Sequence, residues 1–265
     1  FTMMKSRELL RNGWMRNRGK KSKRVVLLLN GANALTRWVL DTIVVAVSAP
    51  PTITTVGFSS STASLFANGT TGAVFLVPPQ HLASHLNATN TKRVTKVISK
   101  WLKLCDHLRA LNNFHSLLAI LNALRSRHLH MVVENIRKDL SKSSLDTLTM
   151  LENVFSHEES YAHYRAVISE IQHHPCIPAL PLHLRDIALI EEAHPDFLRS
   201  SNTLVNFRKC RMLYGAMKEV LRHQLLRHNL LMVYQISDRL QACLITHFEG
   251  LQDEKPGGHY DYMSW

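Results

Sequence analysis

The sequence predicts an all-α domain, and three observations carry that expectation. Apolar residues recur at helical spacing over much of the chain, most clearly across 93–124. No convincing β pattern stands outside 44–77. Residues 175–207 read as two helices folded back on each other, with prolines and a Pro195-Asp196 turn as punctuation.

In chain order, residues 8–14 fit one or two helical turns. Residues 25–43 read as a long helix, with Leu28, Leu35, Trp38, Val39 and Ile43 available to one buried face. From about 44 to 90 the composition changes to Ser, Thr, Gly, Ala and Pro, with almost no charge. A loop of that length inside a compact domain is unusual, so the segment is read as a poorly ordered insertion. Asn68-Gly69-Thr70 and Asn87-Ala88-Thr89 match the glycosylation acceptor pattern, which carries no meaning in a cytosolic chain. Helical periodicity resumes at 93, where Val97, Trp101, Leu104, Cys105, Leu108 and Leu111 form a stripe. Asn112-Asn113 interrupts it, and 114–124 begins the next helix. Further helices are expected over 141–155, capped by Ser141 or Ser144, and over 161–172.

Pro175 and Pro178 then impose a non-helical lead-in to the hairpin. Its first arm, 184–192, ends in the paired carboxylates Glu191 and Glu192, and its second arm runs over about 204–228. Negative charge therefore sits near the tip. A last helix is expected over 230–248, before Pro256-Gly257-Gly258 ends regular structure. No solenoid period is present, and residues 1–265 read as a single domain.

The 265 residues are 45% apolar, enough for a sizeable core. A net charge of +12 with pI near 9.8 fits an acidic partner: nucleic acid, an anionic membrane face or an acidic protein surface. It equally fits a plain soluble domain rich in Lys and Arg. Residues 5–24 carry nine Lys and Arg against Glu8 alone, with Trp14 as the one aromatic. Stacking on single-stranded bases is thus poorly supported, which leaves a solvated loop or contact with an anionic membrane. Cys105, Cys176, Cys210 and Cys243 lack metal-ligand spacing and read as buried, reduced thiols of a cytosolic protein. The 16 histidines are scattered without zinc-site spacing, so no metal is expected. No 18-residue apolar run exists, the nearest, 38–58, being broken by Asp41 and Pro50-Pro51. The first residues lack the apolar stretch of a signal peptide, and a start at Phe1 reads as a fragment.

Several blocks then resemble one family in its own order. Leu111-Asn112-Asn113-Phe114-His115-Ser116, followed by Ala119-Ile120-Leu121, looks like the central signature of the Ras-type guanine-nucleotide exchange domain, the Cdc25-homology or RasGEF family. Arg93 lies where that family has its Arg-Val. Pro175 to Pro178 resembles the Pro-x-x-Pro before its hairpin, residues 184–192 its hairpin helix, and Val205-Asn206-Phe207-Arg208-Lys209 its second arm. Glu8-Leu9-Leu10 with Trp14, and Leu35-Thr36-Arg37-Trp38-Val39, are similar to its first helices. The resemblance skips 44–90. It departs from the family at Pro181, where a Gly is usual, at Ala193-His194 in place of Gly-Asn, at Met131-Val132 in place of Arg-Leu, and at Met212 in place of a basic residue.

The resemblance implies an all-α helical domain with a protruding hairpin, here interrupted by the long low-complexity insertion read over 44–90. It implies a Ras-superfamily small GTPase as partner, no cofactor and no covalent chemistry. The hairpin would displace the first switch of the GTPase. Glu192 would compete with phosphate at the nucleotide-binding loop, Ala188 would face the magnesium position, and Arg185 would meet the displaced switch. Trp38 and Tyr161 match positions that pack on the second switch, and Arg93 and Asn112 match polar positions that brace the interface or touch the GTPase. Glu191 and Asn206 complete the partner-facing set. Each residue also has a structural reading: a solvated helix end for Glu191 and Glu192, core for Trp38 and Tyr161, a bond to a helix end for Asn112, an ion pair for Arg93. Three functions follow: an active exchanger, a degenerate domain that binds a GTPase or scaffolds without driving exchange, and a nucleic-acid binder supported by charge alone. The expectation is the first, in a cytoplasmic protein recruited to the inner membrane surface, with no nucleic acid.

Overall fold

The computed structural model describes residues 4–11, 14, 22–48, 79–171, 174–198 and 203–225. Among them the regular elements are helical: α1 (Ser6–Leu9), α2 (Lys23–Ser48), α3 (Ala88–Ala110), α4 (Phe114–Arg125), α5 (His130–Ile136), α6 (Lys142–Val154), α7 (Ala162–Glu170), α8 (Leu180–Ala193) and α9 (Phe207–Leu225). Short 3-10 turns lie at Pro79–His85, Arg137–Asp139 and Glu158–Ser160. Extended pairing among the described residues is confined to two isolated bridges, Asn113 with Ile177 and Phe197 with Val205.

Helix α4 is the centre. Phe114, Leu117, Leu118, Ile120, Leu121 and Leu124 are buried on one side and Ala119 and Ala123 on the other, so apolar contact runs most of the way round the helix. Helix α2 lies against both α4 and α3, and the Thr36 hydroxyl donates to Ala119 O of α4 at 2.9 Å, a contact that needs close approach of the two backbones. Helix α3 begins where the Asn87 side chain accepts from the N–H groups of Thr89 and Asn90, which makes Asn87 an N-cap. Its buried face is Val94, Ile98, Trp101, Leu102 and Cys105, spacing i, i+4, i+7, i+8, i+11. The expected stripe is therefore rotated: Leu104 and Leu111 are exposed, because α2 and α6 flank α3 on the other side.

Some boundaries differ from the sequence reading. Helix α2 runs five residues past 43, to Ser48, and 79–90 holds a 3-10 turn and the start of α3; residues 49–78 of the expected insertion lie outside the described residues. Helix α5 was not anticipated, since seven residues give too few turns for a periodic signal. Ser141 is the cap of α6, accepting from Ser144 N–H. Cys105 and Cys176 are buried, with burial pushing each thiol up to about 12, but Cys210 is exposed on the outer side of α9 and corrects the expectation of a buried thiol. The expected helix over 230–248, Cys243 and residues 12, 13 and 15–21 of the basic run lie outside the described residues. No helix among the described residues is long and apolar enough to cross a membrane.

A second, smaller core forms the footing of the hairpin. Met4 and Leu9 near α1 and Val25 of α2 meet Leu180, Leu184 and Ile187 of α8 and Val220 of α9. Glu8 is buried there and pairs with Arg24 at 2.9 Å, while its carbonyl accepts from the Ser22 hydroxyl. The lone acid of the basic run thus fixes the N-terminal segment to α2.

Candidate functional site

The hairpin is α8 and α9, which pack on each other over an apolar seam. Pro181 sits in the first turn of α8, where a missing N–H costs nothing, so the departure from glycine is compatible with the helix. The base of α8 is buried through Leu180, Leu182, His183, Leu184 and Ile187. Its outer half keeps one face against α9 and turns the other outward. That outer face carries Arg185, Ala188, Leu189 and Glu192, which fall within about 100° of arc at 100° per residue. Arg185 and Glu192 are exposed, Ala188 is half-buried, and Leu189 is 52% exposed.

The two carboxylates at the end of α8 differ. Glu191 turns inward: one of its carboxylate oxygens accepts the Arg11 backbone N–H at 2.6 Å. Arg11 adopts φ 57°, the left-handed region, to present that N–H. Glu192 has no hydrogen-bond or ion-pair partner among the described residues, which leaves its charge available.

The tip is rigidly tied. Asn206 caps α9, its side-chain oxygen accepting from Lys209 N–H at 3.2 Å, and its amide donates to Pro195 O at 3.0 Å. Its backbone N–H donates to Asp196 O, and Leu198 N–H donates to Leu204 O, so the turn is closed by a short ladder. The amine of Lys209 is buried between the Glu191 carbonyl at 3.0 Å and the Asp196 carboxylate at 2.8 Å. It satisfies an orphan carbonyl at the end of α8 and holds the Asp196 carboxyl below its usual range. Around this clamp the tip is apolar and open: Phe207 is 78% exposed and Val205 58%, with Phe197, Leu198 and Leu204 exposed nearby in sequence.

The remaining expected residues fall into two groups. Tyr161 is buried beside Arg185, whose guanidinium carbon lies 5.9 Å from the ring centroid. Burial pushes its phenol up, and the Arg185 charge works against that. It closes a turn in which Glu159, Ser160 and Tyr161 all adopt positive φ (46°, 58°, 65°), a strained path for non-glycine residues. The structure therefore brings Tyr161 to the first arm of the hairpin. Trp38, Arg93 and Asn112 are built into the scaffold. Trp38 is half-buried and meets Trp101 edge-on at 5.2 Å. Arg93 Nε donates to Ala46 O at 2.8 Å and its guanidinium donates to the Asn90 side-chain oxygen, tying the end of α2 to α3. Asn112 holds the left-handed corner between α3 and α4 (φ 53°), and its amide donates to Pro175 O at 3.1 Å. Its carbonyl accepts from Ile177 N–H, so the hairpin lead-in is riveted to the domain centre.

Sequence reasoning missed Lys209 as a clamp and Leu189 as outward bulk. Lys209 stood inside a recognised block, but nothing in the chain says that its amine reaches back eighteen residues to a helix end. Leu189 lies four residues after Arg185 and could have been found by helical spacing. Among the described residues no cluster of His, Cys, Asp and Glu could hold a metal ion.

Comparison with known proteins agrees with this architecture. The sequence model of the RasGEF domain matches residues 1–211. Ras guanine nucleotide exchange factor H of Dictyostelium discoideum is 39% identical over 155 residues, 58% of this chain and 25% of that protein. Factor J of the same organism is 26% identical over 244 residues, 91% of this chain and 24% of that protein. The chain thus spans about a quarter of the length of these relatives. With a helical scaffold, a hairpin riveted to the Asn112 corner and a family match over most of its length, the chain belongs to the RasGEF domain family.

Proposed function

We propose that this domain is a guanine-nucleotide exchange factor that accelerates GDP release from a Ras-superfamily small GTPase. The observation that carries the reading is the outer face of the hairpin: Glu192, without a partner among the described residues, beside Leu189 and Arg185, above an apolar tip tied by Lys209 and Asn206. A small GTPase holds GDP and magnesium through its phosphate loop and two switch segments. An exchanger binds a conformation in which those contacts are broken, and by linkage nucleotide and exchanger weaken each other. Each decade of accelerated release needs about 1.4 kcal/mol of differential stabilisation.

The roles assigned to single residues rest on the family resemblance and are consistent with what each side chain touches. The apolar tip and α8 displace the first switch. Glu192 competes with phosphate for the donors of the phosphate-binding loop. Ala188 lies toward the magnesium position with little bulk, and Leu189, one residue on, supplies the apolar wedge. Arg185 meets the displaced switch and is steadied over Tyr161. Trp38, Arg93, Asn112 and Asn206 act through rigidity, holding the platform and the hairpin at a fixed angle. Glu191 steadies the N-terminal segment. Residues 5–24 contact an anionic membrane at the inner cell surface, in a protein of the cytoplasm.

Release of a fluorescent GDP analogue from a panel of Ras, Rap and Ral type GTPases tests this reading. Acceleration with at least one member is expected. Ala188, a methyl where the wedge is needed, favours a second reading, a module that grips a GTPase without opening it. A folded domain that forms a complex with a nucleotide-free GTPase yet accelerates release from none would establish that second reading.

A further inference from the structure

We propose that the outward face of α3 is a docking surface for an anionic lipid bilayer. Lys92, Lys96, Lys100 and Lys103 are all exposed on that helix. At 100° per residue they fall within about 80° of arc, and they extend over about 16 Å of rise. No carboxylate among the described residues pairs with any of them. The sole acid of α3, Asp106, accepts from the Thr147 hydroxyl at 2.9 Å and lies beyond the row. The opposite face of the helix is the buried one, through Val94, Ile98 and Leu102, so the lysines stand on a rigid core element. Four like charges in one row repel each other and have no internal reason to align. An external anionic plane supplies one.

The chemistry of the row selects the partner. Lysine is a point charge on a flexible stem and reads a diffuse negative surface, whereas a carboxylate or phosphate recognised singly calls for arginine forks. No exposed aromatic interrupts the row for bases to stack on. No large apolar side chain lies within the arc to anchor an acidic protein, since Leu104 points to its side. A flat row of ammonium groups fits a plane of phosphatidylserine head groups, where each lysine adds roughly fivefold to partitioning.

The test is co-sedimentation of the full chain with vesicles of phosphatidylcholine alone and with vesicles in which roughly a third of the lipid is phosphatidylserine, which gives a surface of negative potential. Three proteins are compared, all with residues 5–24 unchanged: the natural chain, the fourfold variant Lys92→Gln, Lys96→Gln, Lys100→Gln, Lys103→Gln, and a charge-matched control, Arg127→Gln, Lys138→Gln, Lys142→Gln, Lys218→Gln. All eight positions are exposed, and thermal melts check that each variant folds. Binding to the anionic vesicles alone is expected, weakening with salt. The α3 variant should lose at least tenfold in partitioning and the control no more than about threefold. No binding to the anionic vesicles, equal loss in the two variants, or undiminished binding by the α3 variant would each overturn the proposal. So would tighter binding to a DNA duplex that depends on the same four lysines.

Discussion

At the residue scale the hairpin separates two carboxylates that look equivalent in the sequence. Glu191 is held by the Arg11 backbone, and Glu192 is free of partners among the described residues. Replacing Glu192 by Ala should slow GDP release ten- to a hundredfold and weaken binding to the nucleotide-free GTPase by a smaller factor, because bonds from this carboxylate to the freed phosphate-loop donors are one part of an interface that the apolar tip also holds. Stability should shift by less than about 0.5 kcal/mol, as expected for an exposed side chain. Stopped-flow release and a binding titration check both halves, and an unchanged release rate would remove Glu192 from the mechanism. Lys209 makes the opposite kind of prediction. Lys209→Met leaves the Glu191 carbonyl at the end of α8 without its donor and should cost about 1–2 kcal/mol in urea unfolding. Lys209→Arg should recover part of it. The difference in legibility has a physical basis. The charge of Glu192 is visible in the sequence, but whether a carboxylate is free depends on chain far away, here Arg11, 180 residues before Glu191. Arg93, Asn112 and Asn206 show the same limit from the other side. Their positions were recognisable, but that their polar groups bind backbone carbonyls and helix ends is a tertiary fact.

At the element scale the base of the hairpin is a buried polar network inside an apolar shell. Ala179 N–H donates to the Tyr164 phenol oxygen at 2.8 Å, and the Tyr164 hydroxyl and His183 Nε2 lie 3.0 Å apart. With the phenol oxygen accepting from Ala179, its proton is free to donate to the imidazole. That arrangement needs neutral His183, and burial pulls its imidazole down to about 3, helped by Arg165 and by His223 and Arg222 of α9. Between pH 3 and 6.5 the unfolded chain therefore binds a proton that the folded hairpin base refuses. Stability rises with pH through that window and is lost as pH falls below about 6.5. The expected loss from this one group is about 2 kcal/mol at pH 5. Buried His115, also pulled down by burial, adds to it with the same sign. Urea denaturation from pH 7.5 to 4.5 should show the slope, and His183→Gln should flatten it; an unchanged slope in that variant would refute the assignment. The helices themselves were legible wherever an apolar face ran for three turns or more, as in α3, α4 and α6. Two things were not: α5, too short to show a period, and the rotation of α3, which is decided by which neighbours flank it.

At the scale of the whole molecule, the question is whether the compositionally distinct stretch between α2 and α3 belongs to the domain. The joint between those helices is made by residues outside 49–78. The Asn90 amide donates to Val47 O at 3.0 Å and His85 O at 3.3 Å, and Arg93 Nε donates to Ala46 O. These bonds cap the carbonyl end of α2 and bring the chain before and after the segment to one side chain, so a short linker can span them. Leu82, in the 3-10 turn Pro79–His85, is buried in the main core and lies on the domain side of the joint. Two deletions therefore separate the alternatives. Replacing 49–78 by six Gly and Ser residues should leave a cooperative thermal transition, slightly raised, since for a flexible insertion a fivefold shortening from thirty residues recovers about 1.4 kcal/mol of closure entropy. Extending the cut to residue 85 removes Leu82 and the His85 acceptor, and should lower stability by about 2–4 kcal/mol through the cavity and the unmade bond. Calorimetry on both variants decides it. If the shorter deletion abolishes the cooperative transition, the segment is part of the folded unit and the reading of it as an insertion fails. If the two deletions behave alike, the 3-10 turn contributes nothing, and the boundary of the domain moves to Asn87.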